Sequence, residues 1–165
     1  MAIILFFTLI LLCILTFISI EDWKTMLISE NKLIIFAISG FIYLTFLGLL
    51  NEKVNSIDLI VNNIFSTIII FIIMYSISHI SYKVIGINSL GIGDIKISSI
   101  STIWLGIELS LLSIGISFFL SAIYSLYGKL SKSFTPFQQY PFAPFLSIGI
   151  FCSWIIDKIQ AFKSL

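Results

Sequence analysis

The chain has 165 residues, of which 59% are hydrophobic and 10% are charged, and its mean hydropathy is +1.14. These values exclude an ordinary soluble globular domain. The formal net charge is +1 and no basic run occurs, so the sequence indicates neither a nucleic-acid-binding surface nor a polybasic patch for lipid headgroups. With no internal repeat or linker, we predict a single domain over residues 1–165.

Charge-free apolar runs predict the transmembrane helices. Four runs are near or above the ~18 to 20 residues that cross the hydrocarbon core as a helix: Ala2–Ile20, Leu33–Leu50, Leu59–Tyr82 and Leu109–Gly128. Two weaker candidates are Ile95–Ile107, which only Lys96 interrupts, and Pro141–Ile156. Backbone polar groups in lipid must be satisfied internally, which favours helices. We predict an all-α polytopic membrane protein with about six transmembrane helices, the fourth of them short.

The first apolar run and the lysines together predict the orientation. Because this run lacks a positive amino-terminal region and a small-residue cleavage pattern, we expect a retained helix rather than a cleaved signal peptide. With the amino terminus outside, six lysines fall in inner loops: Lys24, Lys32, Lys83, Lys96, Lys129 and Lys132. Lys53 falls in an outer loop, and Lys158 and Lys163 fall in the carboxy-terminal tail. The positive-inside rule therefore favours an outside amino terminus and an outside carboxy terminus.

Two acidic positions are unusual in so apolar a chain. Asp94 lies in the run Gly91-Ile92-Gly93-Asp94, between two apolar segments, and Asp22 follows the first segment. An ionised carboxylate at membrane depth is costly and is usually retained for chemistry, transport or pairing. A helical hairpin separates the two aspartates, so both lie on one face of the membrane, and the Phe137–Phe145 loop returns to that face. Two carboxylates at one depth suggest acid–base chemistry on a bound water.

Other interpretations of these residues remain open. Glycine permits sharp turns and close backbone approach, but an aspartate after two glycines can also simply cap the next helix. Asp22 can equally be an interfacial, solvated carboxylate at a helix end. At the level of the whole protein, the alternatives are a proton-coupled transporter and a non-catalytic membrane subunit of a pilus or secretion machine.

Four elements, in this order along the chain, resemble the prepilin peptidases, which are membrane aspartic proteases of the GxGD type. The element Gly91 to Lys96 satisfies Gly-x-Gly-Asp-x-Lys in full. The element that begins at Asp22 has the aspartate and the isoleucine of the family at matching spacing, although Ser29 replaces the proline of the family. The elements are Asp22 to Asn31, Gly91 to Lys96, Leu105-Gly106, and Pro141-Phe142-Ala143-Pro144-Phe145.

The resemblance implies a membrane aspartic endopeptidase whose catalytic residues are Asp22 and Asp94. It implies cleavage of the basic leader from type IV prepilin-like or pseudopilin precursors, at the cytoplasmic face of the inner membrane. Neighbouring carboxylates cannot both ionise easily, so the pair shares a proton and titrates as a unit. Which aspartate is the base stays open, as does the oligomeric state. The residues expected to support the site or the substrate are Gly91, Gly93, Lys96, Lys24, Pro141 and Pro144.

The resemblance is to the compact form of the family, which lacks the Cys-x-x-Cys zinc segment linked to methylation. We therefore expect peptidase activity without N-methyltransferase activity, and no metal or other cofactor. Lys96 and Lys24 either tune the site electrostatically or lie at the membrane edge as snorkelling lysines. Glu21 and Glu30 are expected on the loop surface, where they could attract a basic leader.

Overall fold

The computed structural model describes residues 2–50, 56–86, 90–135 and 138–163. Lys53 and Phe137 lie outside these ranges. Helices account for nearly all of the described residues: α1 (Ala2–Thr25), α2 (Glu30–Leu50), α3 (Ser56–Ile85), α4 (Ile92–Leu130) and α5 (Ala143–Lys163).

Four of the helices, α1 to α4, are long and apolar enough to cross a membrane. Their lipid-compatible surfaces carry many exposed large apolar side chains, among them Phe6, Phe65 and Phe119. The prediction of an all-α polytopic membrane protein is confirmed. The helices also extend beyond the predicted runs, because α1 continues through Asp22 to Thr25 and α3 continues to Ile85.

Helix α4 is broken at Gly106, and its two halves fold back on each other. Gly106 has φ 73° and ψ 177°, a conformation that glycine adopts without a steric penalty. The Oγ atoms of Ser101 and Ser110 are 3.3 Å apart, whereas nine residues of straight helix would separate them by about 13 Å along the axis. The halves 92–105 and 107–130 therefore correspond in position to the fourth and fifth predicted segments.

The core is an aromatic cluster around Trp104, near the end of the first half of α4. Its indole stacks on the rings of Phe36 and Tyr43 of α2, with centroids 6.0 and 5.6 Å away. Trp154 of α5 meets it edge-on at 5.7 Å, and Trp104 Nε1 donates a hydrogen bond of 3.0 Å to the carbonyl oxygen of Phe36. This cluster joins α2, α4 and α5 into one body.

Small residues allow the second half of α4 to pack directly against α5. Ser113 and Ser117 of α4 are fully buried, and they face Gly149 of α5, where a Cβ would lie only 2.3 Å from Ser113 O. Small residues at such a contact let two helix backbones approach closely, as is common between membrane helices. The contact fixes the axis of α5, and with it the position of the amino-terminal end of α5.

Lys158 differs from its predicted place in a tail, because α5 continues past it to Lys163. Its Nζ lies 4.1 Å from the centroid of the Trp154 ring and donates a 2.6 Å hydrogen bond to Tyr43 Oη. It also forms an ion pair with Asp157. A lysine that is held by aromatic rings and a carboxylate gives weaker evidence about orientation than a free loop lysine would.

Candidate active site

Asp22 is placed in the interior by the helical repeat of α1. The buried face of the helix carries Leu11, Leu15 and Ile18, which are at most 2% exposed, and Asp22 continues that face at 5% exposed. Its Oδ2 accepts a hydrogen bond of 3.0 Å from the backbone N–H of Ala143, and the backbone N–H of Phe142 faces the same carboxylate. Asp22 therefore binds the amino-terminal end of α5.

The Pro141–Phe145 element forms that amino-terminal end. Phe142 precedes α5, and its carbonyl oxygen accepts hydrogen bonds from the N–H groups of Phe145 at 3.0 Å and Leu146 at 3.2 Å. Pro144, the second residue of the helix, has no N–H that would need a partner. The first N–H groups of a helix lack intrahelical acceptors, and here the Asp22 carboxylate supplies one from another helix.

Asp94 lies in the first turn of α4 and is 9% exposed. The backbone N–H of Gly91, the residue that precedes the helix, faces its carboxylate. No described residue donates a hydrogen bond to its buried Oδ1. Asp22 is close enough for its charge to act on Asp94, so two aspartates from distant parts of the sequence are brought together.

The two glycines of the motif have ordinary backbone dihedral angles, and what matters is the space that a missing side chain leaves. Gly91 has φ −69°, and neither Gly91 nor Gly93 has a positive φ. The part of our expectation that applies at these positions is therefore the close backbone approach that glycine permits, and not a positive φ. A Cβ at Gly93 would lie 2.9 Å from Ile28 Cδ1 and 3.2 Å from Ile28 Cβ. Because Gly93 has no side chain, Ile28 and the loop between α1 and α2 can pack directly on the start of α4, beside both aspartates.

Ion pairs surround the pair of aspartates on the side of α2. Glu21 Oε2 accepts hydrogen bonds from the backbone N–H of Ser29 at 3.0 Å and from Ser29 Oγ at 3.1 Å, and Lys32 Nζ lies 3.2 Å from it. Glu21 thus anchors the start of α2 and is not an idle surface group.

The two predicted support lysines do not contact the aspartates. Lys96 pairs with Glu30 across the gap between α4 and α2, and Lys24 is exposed in the last turn of α1. The two predicted prolines, in contrast to the lysines, do lie next to the site: Pro141 and Pro144 flank the segment whose Ala143 N–H binds Asp22. Within the described ranges, no group of three or more histidine, cysteine, aspartate or glutamate side chains could hold a metal ion.

Sequence reasoning missed three parts of this site: the backbone N–H groups at Phe142 and Ala143, the contact of Ile28 with Gly93, and the anchoring role of Glu21. A backbone N–H donor cannot be recognised from the residue type, because every residue except proline has one. Only the two prolines indicated that a helix starts there. The Ile28 spacing matched the family, but its role required a three-dimensional contact.

Comparison with known families places the chain in a protease family. A model described as the type IV leader peptidase family matches residues 9–126, which is more than half of the chain and includes both aspartates. The match ends before the Pro141–Phe145 element. No curated protein and no solved structure gave a significant match. The helices make the chain a multi-pass membrane protein, and it belongs to the type IV leader peptidase family.

Proposed function

We propose that the protein is a membrane aspartic endopeptidase that removes the basic leader from type IV prepilin-like or pseudopilin precursors. The observation that carries the proposal is the pair of buried carboxylates, Asp22 and Asp94, at one end of an apolar helix bundle. Membership of the leader peptidase family supports a precursor protein as the substrate. Carboxylates are rarely fully buried without a partner or a function.

The chemistry needs only the two aspartates and a water. One carboxylate is ionised and takes a proton from the attacking water, while the other is protonated and donates to the scissile carbonyl oxygen. General acid–base catalysis of this type contributes about 10²- to 10⁴-fold in rate. Gly91 and Gly93 leave room for the chain beside Asp94, and Pro141 and Pro144 hold the segment that orients Asp22.

The location follows from the proposed substrate and the lysine distribution. A prepilin-like precursor carries a basic leader followed by an apolar helix, so its scissile bond would lie at the cytoplasmic face of the inner membrane. Six membrane crossings, counting both halves of α4 and α5, with the amino terminus outside, would put both aspartates at that face. The proposal includes no methyl transfer, so the new amino terminus of the product should have an unmodified mass.

The test is cleavage of a co-expressed precursor in membranes, followed as a shortened product on gels. Asp22→Asn and Asp94→Asn keep side-chain size but remove the titrating proton, and each should abolish the product at normal protein levels. Asp58→Asn, at an exposed site in the first turn of α3, makes the same chemical change elsewhere and should cleave normally. Full cleavage by either site variant would remove that aspartate from the mechanism.

Attraction of the basic leader by Glu21 and Glu30 is a separate part of the proposal. Both carboxylates are already paired with lysines, Glu21 with Lys32 and Glu30 with Lys96, so a basic leader would have to compete with these ion pairs. Replacing both glutamates with glutamine should slow cleavage if the leader is recognised there. An unchanged rate would assign these carboxylates to structure alone.

A further inference from the structure

We propose that the amino-terminal end of α5 sets the roles of the two aspartates, with Asp22 as the ionised base and Asp94 as the protonated acid. Ala143 and Phe142 are then positioning residues that act through their backbone N–H groups. This inference rests on the proposed function and deepens it, because sequence alone leaves the two roles interchangeable.

The carboxylate of Asp22 has two backbone donors. Ala143 N–H donates at 3.0 Å, and Phe142 N–H faces the same group. Backbone N–H groups cannot accept a proton, so they favour the charged form of a carboxylate over its neutral form. They also lie at the positive end of the α5 dipole. The two donors therefore favour Asp22 over Asp94 as the ionised member of the pair, which is the state that a general base requires.

The carboxyl group of Asp94 has a different environment. One backbone donor, Gly91 N–H, faces it, and its buried Oδ1 has no hydrogen-bond donor among the described residues. Asp94 also lies in the first turn of its own helix, so a helix dipole favours ionisation at both aspartates. The two carboxyl groups differ in the number of their donors and in the Oδ1 of Asp94, which has no donor among the described residues and can carry the shared proton.

Other charged groups around the pair do not reverse this difference. Glu21, next to Asp22, is paired with Lys32 at 3.2 Å. Lys96 near Asp94 is paired with Glu30. On α5 the nearest charged residue is Asp157, 14 residues from Ala143 and about 21 Å away along the helix. The remaining titratable groups among the described residues at this end of the fold include Lys24, His79, Tyr82, Lys83, Tyr124, Tyr127, Lys129, Lys132 and Tyr140. Tyr140 Oη is 3.3 Å from Ser121 Oγ.

With these roles the proton movements balance. Asp22 takes a proton from water as the water oxygen bonds to the scissile carbon, and Asp94 gives its proton to the carbonyl oxygen. When the carbon–nitrogen bond breaks, the leaving amine takes the proton from Asp22. Asp94 recovers its proton as the carboxyl product forms. One water is consumed, and both aspartates return to their starting states.

The decisive variant is Ala143→Pro, which removes the N–H donor to Asp22 at a position where proline suits a helix. Ala143 is the first residue of α5, and proline is favoured there. We expect the acid limb of the cleavage-versus-pH profile to move up by about one to two pH units, the effect of losing one hydrogen bond to a charged group. The basic limb should stay in place. Ala143→Gly, which keeps the N–H, should leave the acid limb where it is, whatever it does to the rate.

A second measurement needs no activity and covers the case of an inactive or poorly folded Ala143→Pro variant. In infrared difference spectra of the purified protein, the carbonyl stretch of a protonated carboxyl group should disappear in Asp94→Asn and persist in Asp22→Asn. The opposite pattern, or an acid limb that Ala143→Pro leaves in place, would overturn the assignment. If the wild type cleaves no precursor, the proposed function fails, while the infrared comparison still decides which aspartate holds the proton.

Discussion

Replacing Gly149 with alanine should force α5 away from α4. The added Cβ would lie 2.3 Å from Ser113 O and 2.3 Å from Ser117 Oγ, whereas ordinary contact begins at 3.4 Å. The helices must therefore separate by roughly 1 Å (3.4 − 2.3), because Ser113 O belongs to a helix backbone and cannot rotate away. Overpacking of this kind costs about 1–3 kcal/mol.

Gly115 on α4 provides the matched control, since a Cβ there meets no atom within 4 Å. Both changes gain the same helix propensity, up to about 1 kcal/mol, so the difference between the two variants isolates the steric cost. About 1–3 kcal/mol corresponds to an apparent melting temperature that is about 2–12 °C lower for Gly149→Ala than for Gly115→Ala.

Thermal unfolding in detergent, followed by the fluorescence of the buried Trp104 and Trp154, measures this difference. Because α5 begins at the residues that bind Asp22, Gly149→Ala should also lower precursor cleavage, whereas Gly115→Ala should not. Equal melting temperatures for the two variants would refute the close α4–α5 contact on which the placement of the site depends.

Two further changes test local geometry. Gly93→Ala places a Cβ 2.9 Å from Ile28 Cδ1 and should lower cleavage several-fold. Adding Ile28→Val, which removes that Cδ1, should restore part of the cleavage rate in the same assay. No restoration would argue against the contact between Gly93 and Ile28. Met26 has φ 52° after the end of α1, a left-handed conformation that costs a non-glycine residue about 1 kcal/mol. Met26→Gly should therefore raise the melting temperature by a few degrees. A lower melting temperature would count against the left-handed conformation.

The apolar runs predicted the helices well, because spanning lipid requires long stretches without charge. They also predicted that Asp22 and Asp94 share one end of the bundle, since an intervening hairpin returns the chain to its starting face. The reversal at Gly106 lies one residue before the end of the predicted segment Ile95–Ile107, two residues from the Glu108 that separates it from the segment Leu109–Gly128, so it too had a sequence signal.

The contacts that assemble the site were not predictable in the same way. The hydrogen bond from Ala143 N to Asp22 Oδ2 joins residues 121 positions apart, and its donor belongs to the backbone, which every residue except proline provides. The anchoring of Ser29 by Glu21 likewise connects two helices. Such contacts depend on helix packing, and the periodicity of a single helix carries no information about them.

The two aspartates differ in what they contribute to the fold, and this difference can be measured. Asp22 satisfies N–H groups at the start of α5, so Asp22→Ala should cost about 0.5–2 kcal/mol, as for the loss of a helix cap. Asp94 keeps a buried oxygen without a donor among the described residues, and such a group costs about 1–3 kcal/mol. Asp94→Ala should therefore change the melting temperature little, because relief of that cost offsets the lost packing, while cleavage is abolished. Equal destabilisation by both changes would contradict this reasoning. The hydrogen bond to α5 gives Asp22 a structural role, whereas the proposed catalytic role of Asp94 predicts a loss of cleavage without a comparable loss of stability.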